Sequence, residues 1–293
     1  MSRATLPGAI ATAPGSRPAV SQTTRNYRAN VRHAYDLALA GALGGLFGLY
    51  LYVELARAES VYVRDALAGI LIGGSLGVFL NAYGPFRDGA WLKLARSVAW
   101  GAPAAAIGGA LGLLAGELVI GFFQGGLTGR AFSWAVLGLG IGLGQGIAEG
   151  SRDRLKFGLI GGGLGGFLGG LVFEWLRVRM GDRAELSQAV GIVILGAGLG
   201  LCLALVEQVM RRSWLLVQSG RQEGRIYLLD HPRCRLGLDE RAEIGIFGDP
   251  TVARQHAEIE RAAGVYTLRH RAAAASTKVN DAPVLDRCTL KDG

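Results

Sequence analysis

The residues able to do acid–base or metal chemistry are few and scattered. His33, His231, His256 and His270 lie far apart in the chain, and no Ser-His-Asp arrangement or metal-ligand spacing accompanies them. Cys202, Cys234 and Cys288 also lack metal-ligand spacing, and their odd count makes no disulfide set. We read them as apolar packing residues in a reducing compartment. Matches to glycine-rich phosphate loops fall inside long apolar runs, where glycine serves helix packing. Glu54, Glu117, Glu149, Glu174 and Glu207 stand at the ends of those runs, near water, and the runs themselves carry no charge. These residues predict a protein that is not an enzyme, binds no metal or cofactor, and lacks a charged path for an ion.

The elements that must position everything else are hydrophobic. Half of the 293 residues are apolar, an ordinary share, yet they are gathered into uncharged runs at 37–53, 66–86, 97–116, 131–148, 157–173 and 186–206. Each run is near the ~20 residues that carry a helix across ~30 Å of hydrocarbon. None shows a polar face, so core helices of a soluble protein account poorly for six such runs in succession. The expectation is an all-α membrane bundle of six spans over residues 36–209.

Residues 159–170 read LIGGGLGGFLGG. Gly161, Gly165 and Gly169 recur at four-residue spacing, and Gly162, Gly166 and Gly170 form a second, adjacent row. A water-exposed helix loses about 1 kcal/mol per glycine relative to alanine. In lipid the backbone must satisfy its own hydrogen bonds, so the helix survives and its small faces admit close neighbours. Gly41 and Gly45, Gly73 and Gly77, Gly108 and Gly112, Gly140 and Gly144, and Gly196 and Gly200 repeat the pattern in the other runs. They predict glycine-zipper packing and a bundle suited to self-association. An internal copy accompanies them: residues 64–80 and 152–168 agree at eleven of seventeen positions without a gap. Aligning Glu117 with Glu207 extends the match to the third and sixth runs. Three spans per copy is an odd number, so the second copy enters the membrane inverted.

Residues 1–35 contain Arg3, Arg17, Arg25, Arg28 and Arg32, several prolines and no acidic residue. Such a composition buries no core, and a disordered basic tail is expected. An organellar transit peptide shares it; a basic tail before a first span also holds an N-terminus in the cytoplasm. With the N-terminus inside, the inner loops carry Arg87, Lys93, Arg96, Arg152, Arg154 and Lys156, followed by Arg211 and Arg212. The outer loops carry Arg57, Arg64, Arg130, Arg177, Arg179 and Arg183. The balance predicts a multi-pass protein of the cell (inner) membrane with both termini cytoplasmic.

Beyond Arg212 the texture changes to short apolar strands separated by Gly, Asp and Asn turns, the pattern of a small β-sandwich over residues 213–293. Its motifs run from a glycine-bounded start at Gly220 to Gly224, through Leu236-Gly237, GDPTVARQHAEI at 248–259 and TKVND at 277–281, to a closing LKDG. In that order they resemble a forkhead-associated (FHA) domain. The resemblance covers about the last 80 residues and none of the apolar runs. It implies an eleven-stranded sandwich whose loops at one end bind a phosphothreonine peptide through cationic and hydroxyl donors. The family continues past this point with closing strands, so the expectation is either a truncated sequence or a sandwich with an open edge.

Residue by residue, the resemblance places Gly237 on the glycine of the family's Gly-Arg pair, with Leu238 where the phosphate-clasping arginine stands. The family's Ser-x-x-His loop becomes Ala253, Arg254, Gln255 and His256, which keeps the loop-bracing histidine and loses the hydroxyl. Asn280 matches the asparagine that holds the peptide backbone, with Thr277 and Lys278 just before it. Losing an arginine and a hydroxyl removes two charge-assisted hydrogen bonds of about 1.5–3 kcal/mol each. Ordinary phosphothreonine affinity is therefore not expected, although Arg235, Arg254 and Lys278 offer replacement charge. The expected partners are a protein or phosphoprotein, the lipid bilayer and a second copy, and not nucleic acid. The first reading is a membrane-anchored interaction module in signalling. The alternatives are a small inverted-repeat channel or transporter regulated by the sandwich, and a bundle that chiefly oligomerises or shapes the membrane.

Overall fold

Where every backbone group must find its partner within one segment, an apolar run becomes a helix. The computed structural model describes residues 4–5, 22–56, 59–123, 127–180, 184–211, 213–262, 264–272 and 276–290. The six runs lie in α1 (Gln22–Leu55), α2 (Val61–Asp88), α3 (Trp91–Phe123), α4 (Leu127–Glu149), α5 (Arg152–Met180) and α6 (Ala184–Met210). Among the described residues, five of these helices, all but α4, are long and apolar enough to cross a membrane. The chain forms two compact units, Asn30–Arg211 and a second made of Met1–Ala29 with Arg212–Gly293.

Within the first unit, consecutive helices meet at glycines. A β-carbon built on Gly44 would lie 2.9 Å from that of Phe79, joining α1 to α2. One built on Gly73 would lie 2.5 Å from the Ala105 carbonyl oxygen, and one on Gly77 would be 2.5 Å from the Ala105 β-carbon, joining α2 to α3. Helix α4 has glycine at alternate positions, and they divide between two neighbours: Gly140 and Gly144 lie against α3, Gly138, Gly142 and Gly146 against α5. The two glycine rows of α5 divide likewise. Gly161, Gly165 and Gly169 face Leu203, Leu199 and Leu195 of α6, at 2.9, 2.7 and 3.1 Å from their α-carbons, while Gly162, Gly166 and Gly170 face α4. Gly196 and Gly200 of α6 then lie against Gly41 and Leu37 of α1, which closes the ring.

The interior of the ring is filled. Leu76, Leu137, Ile141, Leu195 and Leu199 are fully enclosed, with Trp134 and Phe173 packed in the same cluster. Outward positions are also apolar, among them Leu43, Phe47, Leu111, Leu164, Leu168 and Leu205, as a lipid-facing surface requires. Polar pairs sit at the helix ends. His33 of α1 lies 3.6 Å from Glu207 of α6, and Arg211 donates to Asn30 at 2.8 Å. Tyr83 donates to Asp36, and Arg87 lies 3.6 Å from the same carboxylate. At the other end of α5, buried Glu174 accepts from Arg177 at 2.8 Å and lies 3.9 Å from Arg130 of α4.

The expectation of a disordered tail over residues 1–35 is corrected where the chain is described; residues 6–21 lie outside the described residues. Helix α1 begins at Gln22. Ala4–Thr5 forms a strand, β1.

The C-terminal part holds β2 (Trp214–Leu216), β3 (Ile226–Leu228), β4 (Arg233–Gly237), β5 (Ile244–Gly245), β6 (Ala257–Ala262), β7 (Val265–His270), β8 (Lys278–Val279), β9 (Ala282–Pro283) and β10 (Arg287–Leu290). The five-stranded sheet runs β10-β7-β6-β4-β5, antiparallel except for the β4–β5 pair. A three-stranded sheet runs β1-β8-β9, and β2 pairs with β3. Alternate residues Cys234 and Leu236, Ala257 and Ile259 point into the core with Ile244, Val252 and Leu268, the period-2 pattern of a half-buried sheet. Eleven strands were expected for the sandwich; β2 to β10 are the strands among its described residues.

Replacing Gly196 with valine should force α1 and α6 apart and cost about 1–3 kcal/mol. Val209→Ala, at an 82% exposed position, should change stability by less than about 0.5 kcal/mol. Thermal unfolding of the detergent-solubilised protein checks both.

Candidate functional site

The loop after β5 is stitched to the end of β4. Leu238 N–H donates to the Ala253 carbonyl at 3.1 Å, Asp239 N–H to the Arg254 carbonyl at 3.2 Å, and His256 N–H to the Leu236 carbonyl at 2.9 Å. This approach explains Gly237: a β-carbon there would collide with the Arg254 carbonyl oxygen. Leu238, Ala253 and Arg254 are thereby gathered at one end of the sheet. Gly248 and the Asp249 turn introduce the loop; Asp249 accepts from the Thr251 N–H at 2.9 Å and the Thr251 hydroxyl at 2.6 Å, and these bonds hold its carboxyl below the usual range.

Beneath the loop lies a chain of hydrogen bonds. The Ala253 N–H points at His256 Nδ1, 3.2 Å away, so that nitrogen accepts. His256 Nε2 must then carry the proton, and it donates to Thr277 Oγ1 at 3.1 Å. Thr277 Oγ1 also hydrogen-bonds with His270 Nδ1 at 2.8 Å. His256 and Thr277 are fully enclosed. Burial, and then the proximity of His270, push His256 below its ordinary pKa, which keeps Nδ1 free to accept.

Thr277 was expected among the residues facing a peptide, and the structure corrects this: its hydroxyl is committed to the two imidazoles and its surface to the core. Asn280 was expected to hold a peptide backbone. It forms, with Asp281, the two-residue turn between β8 and β9, both residues left-handed at φ 51° and 64°, as a type I′ hairpin requires. Its side chain remains exposed.

Arg235, on the exposed face of β4, is engaged by Glu243 in a fork at 2.9 and 3.2 Å and also donates to the Arg241 carbonyl at 2.9 Å. Glu243 is pulled opposite ways, burial raising its pKa and the Arg235 bonds lowering it, and the bonds win. Arg254 and Lys278 are exposed, on segments that the His256–Thr277 bond ties together. They are the cations of the expected set left facing solvent. His256 braces the loop and Gly237 admits it. Cys234 is buried, its thiol pushed up to about 11 by burial. One side chain escaped the sequence reading. Gln222 is buried, accepting from the Phe247 N–H at 2.9 Å and donating to Tyr227 at 3.0 Å, and so ties the first turn of the domain to the strand before the loop.

Residues 220–293 match the FHA domain family. The C-terminal part of the chain is thus a domain of the phosphopeptide-binding type, joined to a helical region with five candidate membrane spans. Among solved structures the chain is similar to Mycobacterium tuberculosis EmbR in complex with low affinity phosphopeptide, at 16% identity over 97% of this chain and 72% of that one, with a TM-score of 0.24. No curated protein matches the chain.

A folded-state pKa below the unfolded value of ~6.5 means that the His256 contribution is complete above that pH and is lost as pH falls through the depressed value. Backbone hydrogen exchange at 252–258, corrected for intrinsic rates, should therefore quicken between pH 7.5 and pH 5. Thr277→Val leaves the buried Nε2–H without an acceptor and should cost about 1–3 kcal/mol, read as faster exchange in the same segment at both pH values.

Proposed function

We propose that this protein is a membrane-anchored interaction module, in which a helical bundle holds an FHA domain at the cytoplasmic face for docking to a protein partner, with phosphothreonine preference weak or lost. One observation carries the reading: the loop of Ala253 and Arg254 is stitched against Leu238, so the two places where the family offers an arginine and a hydroxyl present leucine and alanine. A dianionic phosphate there would meet Arg254, with Lys278 on the neighbouring segment, and no second clasping donor of the family type. The resemblance suggests serine/threonine-kinase signalling as the setting, and catalysis has no place in it.

The bundle we read as six crossings with both termini cytoplasmic. Its support is that Asn30 and His33, early in α1, bond Arg211 and Glu207, late in α6: the first and last helices share one end. An even number of crossings satisfies that, and α4, lying along α3 and α5 through its alternating glycines, supplies the sixth. The inverted repeat is supported by paired end clusters. Asp36 of α1 meets Arg87 near the end of α2, and Arg130 of α4 meets Glu174 near the end of α5, the same helix pair in each copy with charges exchanged. Glycine-zipper packing supports a rigid anchor and allows self-association. The alternative of a channel or transporter finds no support in the enclosed interior around Leu76, Leu137 and Leu195.

Titration of the detergent-solubilised protein with a phosphothreonine peptide library and its unphosphorylated twin tests the reading. The two should bind within a few-fold of each other. Leu238→Arg combined with Ala253→Ser should raise the phosphate preference at least tenfold, about 1.4 kcal/mol. Strong phosphate preference in the unaltered protein would contradict the reading and assign the clasp to Arg254 and Lys278.

A further inference from the structure

Arginines around the turn from α2 to α3 differ in what they meet. Arg32 and Arg87 both lie beside the Asp36 carboxylate, at 3.9 and 3.6 Å. Arg96 of α3 is exposed and, among the described residues, has no ion-pair partner. It lies on the outward stripe of its helix, one turn from exposed Leu92 on one side and from exposed Trp100 on the other, and the stripe goes on through Ile107 and Leu111. Helix α3 is long and apolar enough to cross a membrane from Trp91 to Gly116. Its uncharged run begins at Ser97, directly after Arg96, so the guanidinium stands at the edge of the hydrocarbon layer, where lipid phosphates lie. The turn before it is tight: Gly89 is left-handed at φ 71°, and its N–H donates to the Phe86 carbonyl at 3.1 Å. That turn sets the exposed Phe86 ring edge-on to the exposed Trp91 ring, with 6.2 Å between centroids.

We propose that this corner of the bundle is a binding site for an acidic phospholipid, whose phosphate is clasped by Arg96 and whose glycerol and upper acyl chains rest against Phe86, Trp91 and Trp100. It rests on the reading that the bundle crosses a membrane. Two features select a lipid as the occupant. The first is charge: arginine offers its donors in a fork that matches phosphate oxygens, and no carboxylate of the described residues answers Arg96. The second is continuity. Leu92, Trp100 and Ile107 belong to one outward stripe, so a headgroup held at Arg96 carries its own chains down an apolar face that a soluble anion would leave bare. A guanidinium at that depth must reach water or a phosphate, and indole rings favour the same level. The consequence is a preference for acidic over neutral lipid at one place on the helical unit, with no part for the FHA domain.

The test uses the full chain reconstituted in phosphatidylcholine bilayers, with Cys202, Cys234 and Cys288 replaced by alanine and a bimane fluorophore on Ala99→Cys, an exposed position close to Arg96 in α3. Quenching by lipids brominated on the acyl chain reads which lipid occupies the adjoining site. Brominated phosphatidylglycerol should occupy it about fivefold more readily than brominated phosphatidylcholine. Arg96→Gln should remove the preference, Arg96→Lys should keep part of it, and Arg152→Gln, at an exposed position on α5, should leave it unchanged. A bimane on Leu164→Cys, midway along the outward face of α5, should report no preference. Equal occupancy by the two lipids, a preference that survives Arg96→Gln, an equal loss with Arg152→Gln, a preference as large at position 164, or loss of the preference to millimolar glycerol phosphate would each overturn the proposal. Quenching by neither lipid at either position would overturn the membrane reading and the proposal with it, a result distinct from equal quenching by both.

Discussion

Lipid tails are as apolar as leucine, so a leucine buried between two helices of this bundle gains little over one left in the bilayer. What holds the helices is contact at close range, the sum of many small dispersion terms that fall away over a fraction of an ångström. Glycine is the residue that permits it. Gly41 against Gly196, Gly108 against Gly140, and Gly138 against Gly162 bring backbone onto backbone between three different helix pairs. The remaining features of the bundle follow from that closeness. Helices so near to one another enclose Leu76, Leu137, Ile141 and Leu199 fully, and near the helix ends Asp36 and Glu174 meet arginines while Glu207 lies beside His33.

The FHA domain depends on a different device of similar economy. In water an apolar core gains free energy directly, and Ile244, Ile259 and Leu268 supply one. A core does not position a loop. The loop that would meet a ligand is held by three hydrogen bonds in sequence, from the Ala253 amide through His256 and Thr277 to His270. The Ala253 amide keeps its acceptor only while His256 Nδ1 is unprotonated. The loop is therefore held from below the surface, with Leu238 and Ala253 beside it.

The sequence was most informative where a spacing maps onto a face. Rows of glycine four residues apart in 159–170 identify two small faces, and the structure gives each its own neighbour, α6 and α4. The change to short strands after Arg212 was visible for the same reason, since period-2 alternation has one structural meaning. Residue roles at the site were less legible. A threonine hydroxyl serves a ligand or a buried histidine equally well, and only burial shows that Thr277 does the second. Arg235 reads as free charge until the chain folds Glu243, eight residues on, beside it. Asn280 suits a peptide contact and a left-handed turn alike, and φ shows the turn. The helical start at Gln22 was hidden because basic, acid-free composition describes a disordered tail and a helix approaching a membrane surface alike.

The reading we propose is that the helical bundle crosses the membrane with both of its ends on one side. Single cysteines introduced at Thr23, Glu59, Ser151 and Ser219, in a background without the native cysteines, can be probed in intact cells with a membrane-impermeant thiol reagent. The account predicts labelling at position 59 alone before permeabilisation and at 23, 151 and 219 only afterwards. Labelling of 23 and 219 from opposite sides would contradict it, because the bonds between early α1 and late α6 require the two ends of the bundle to share one face.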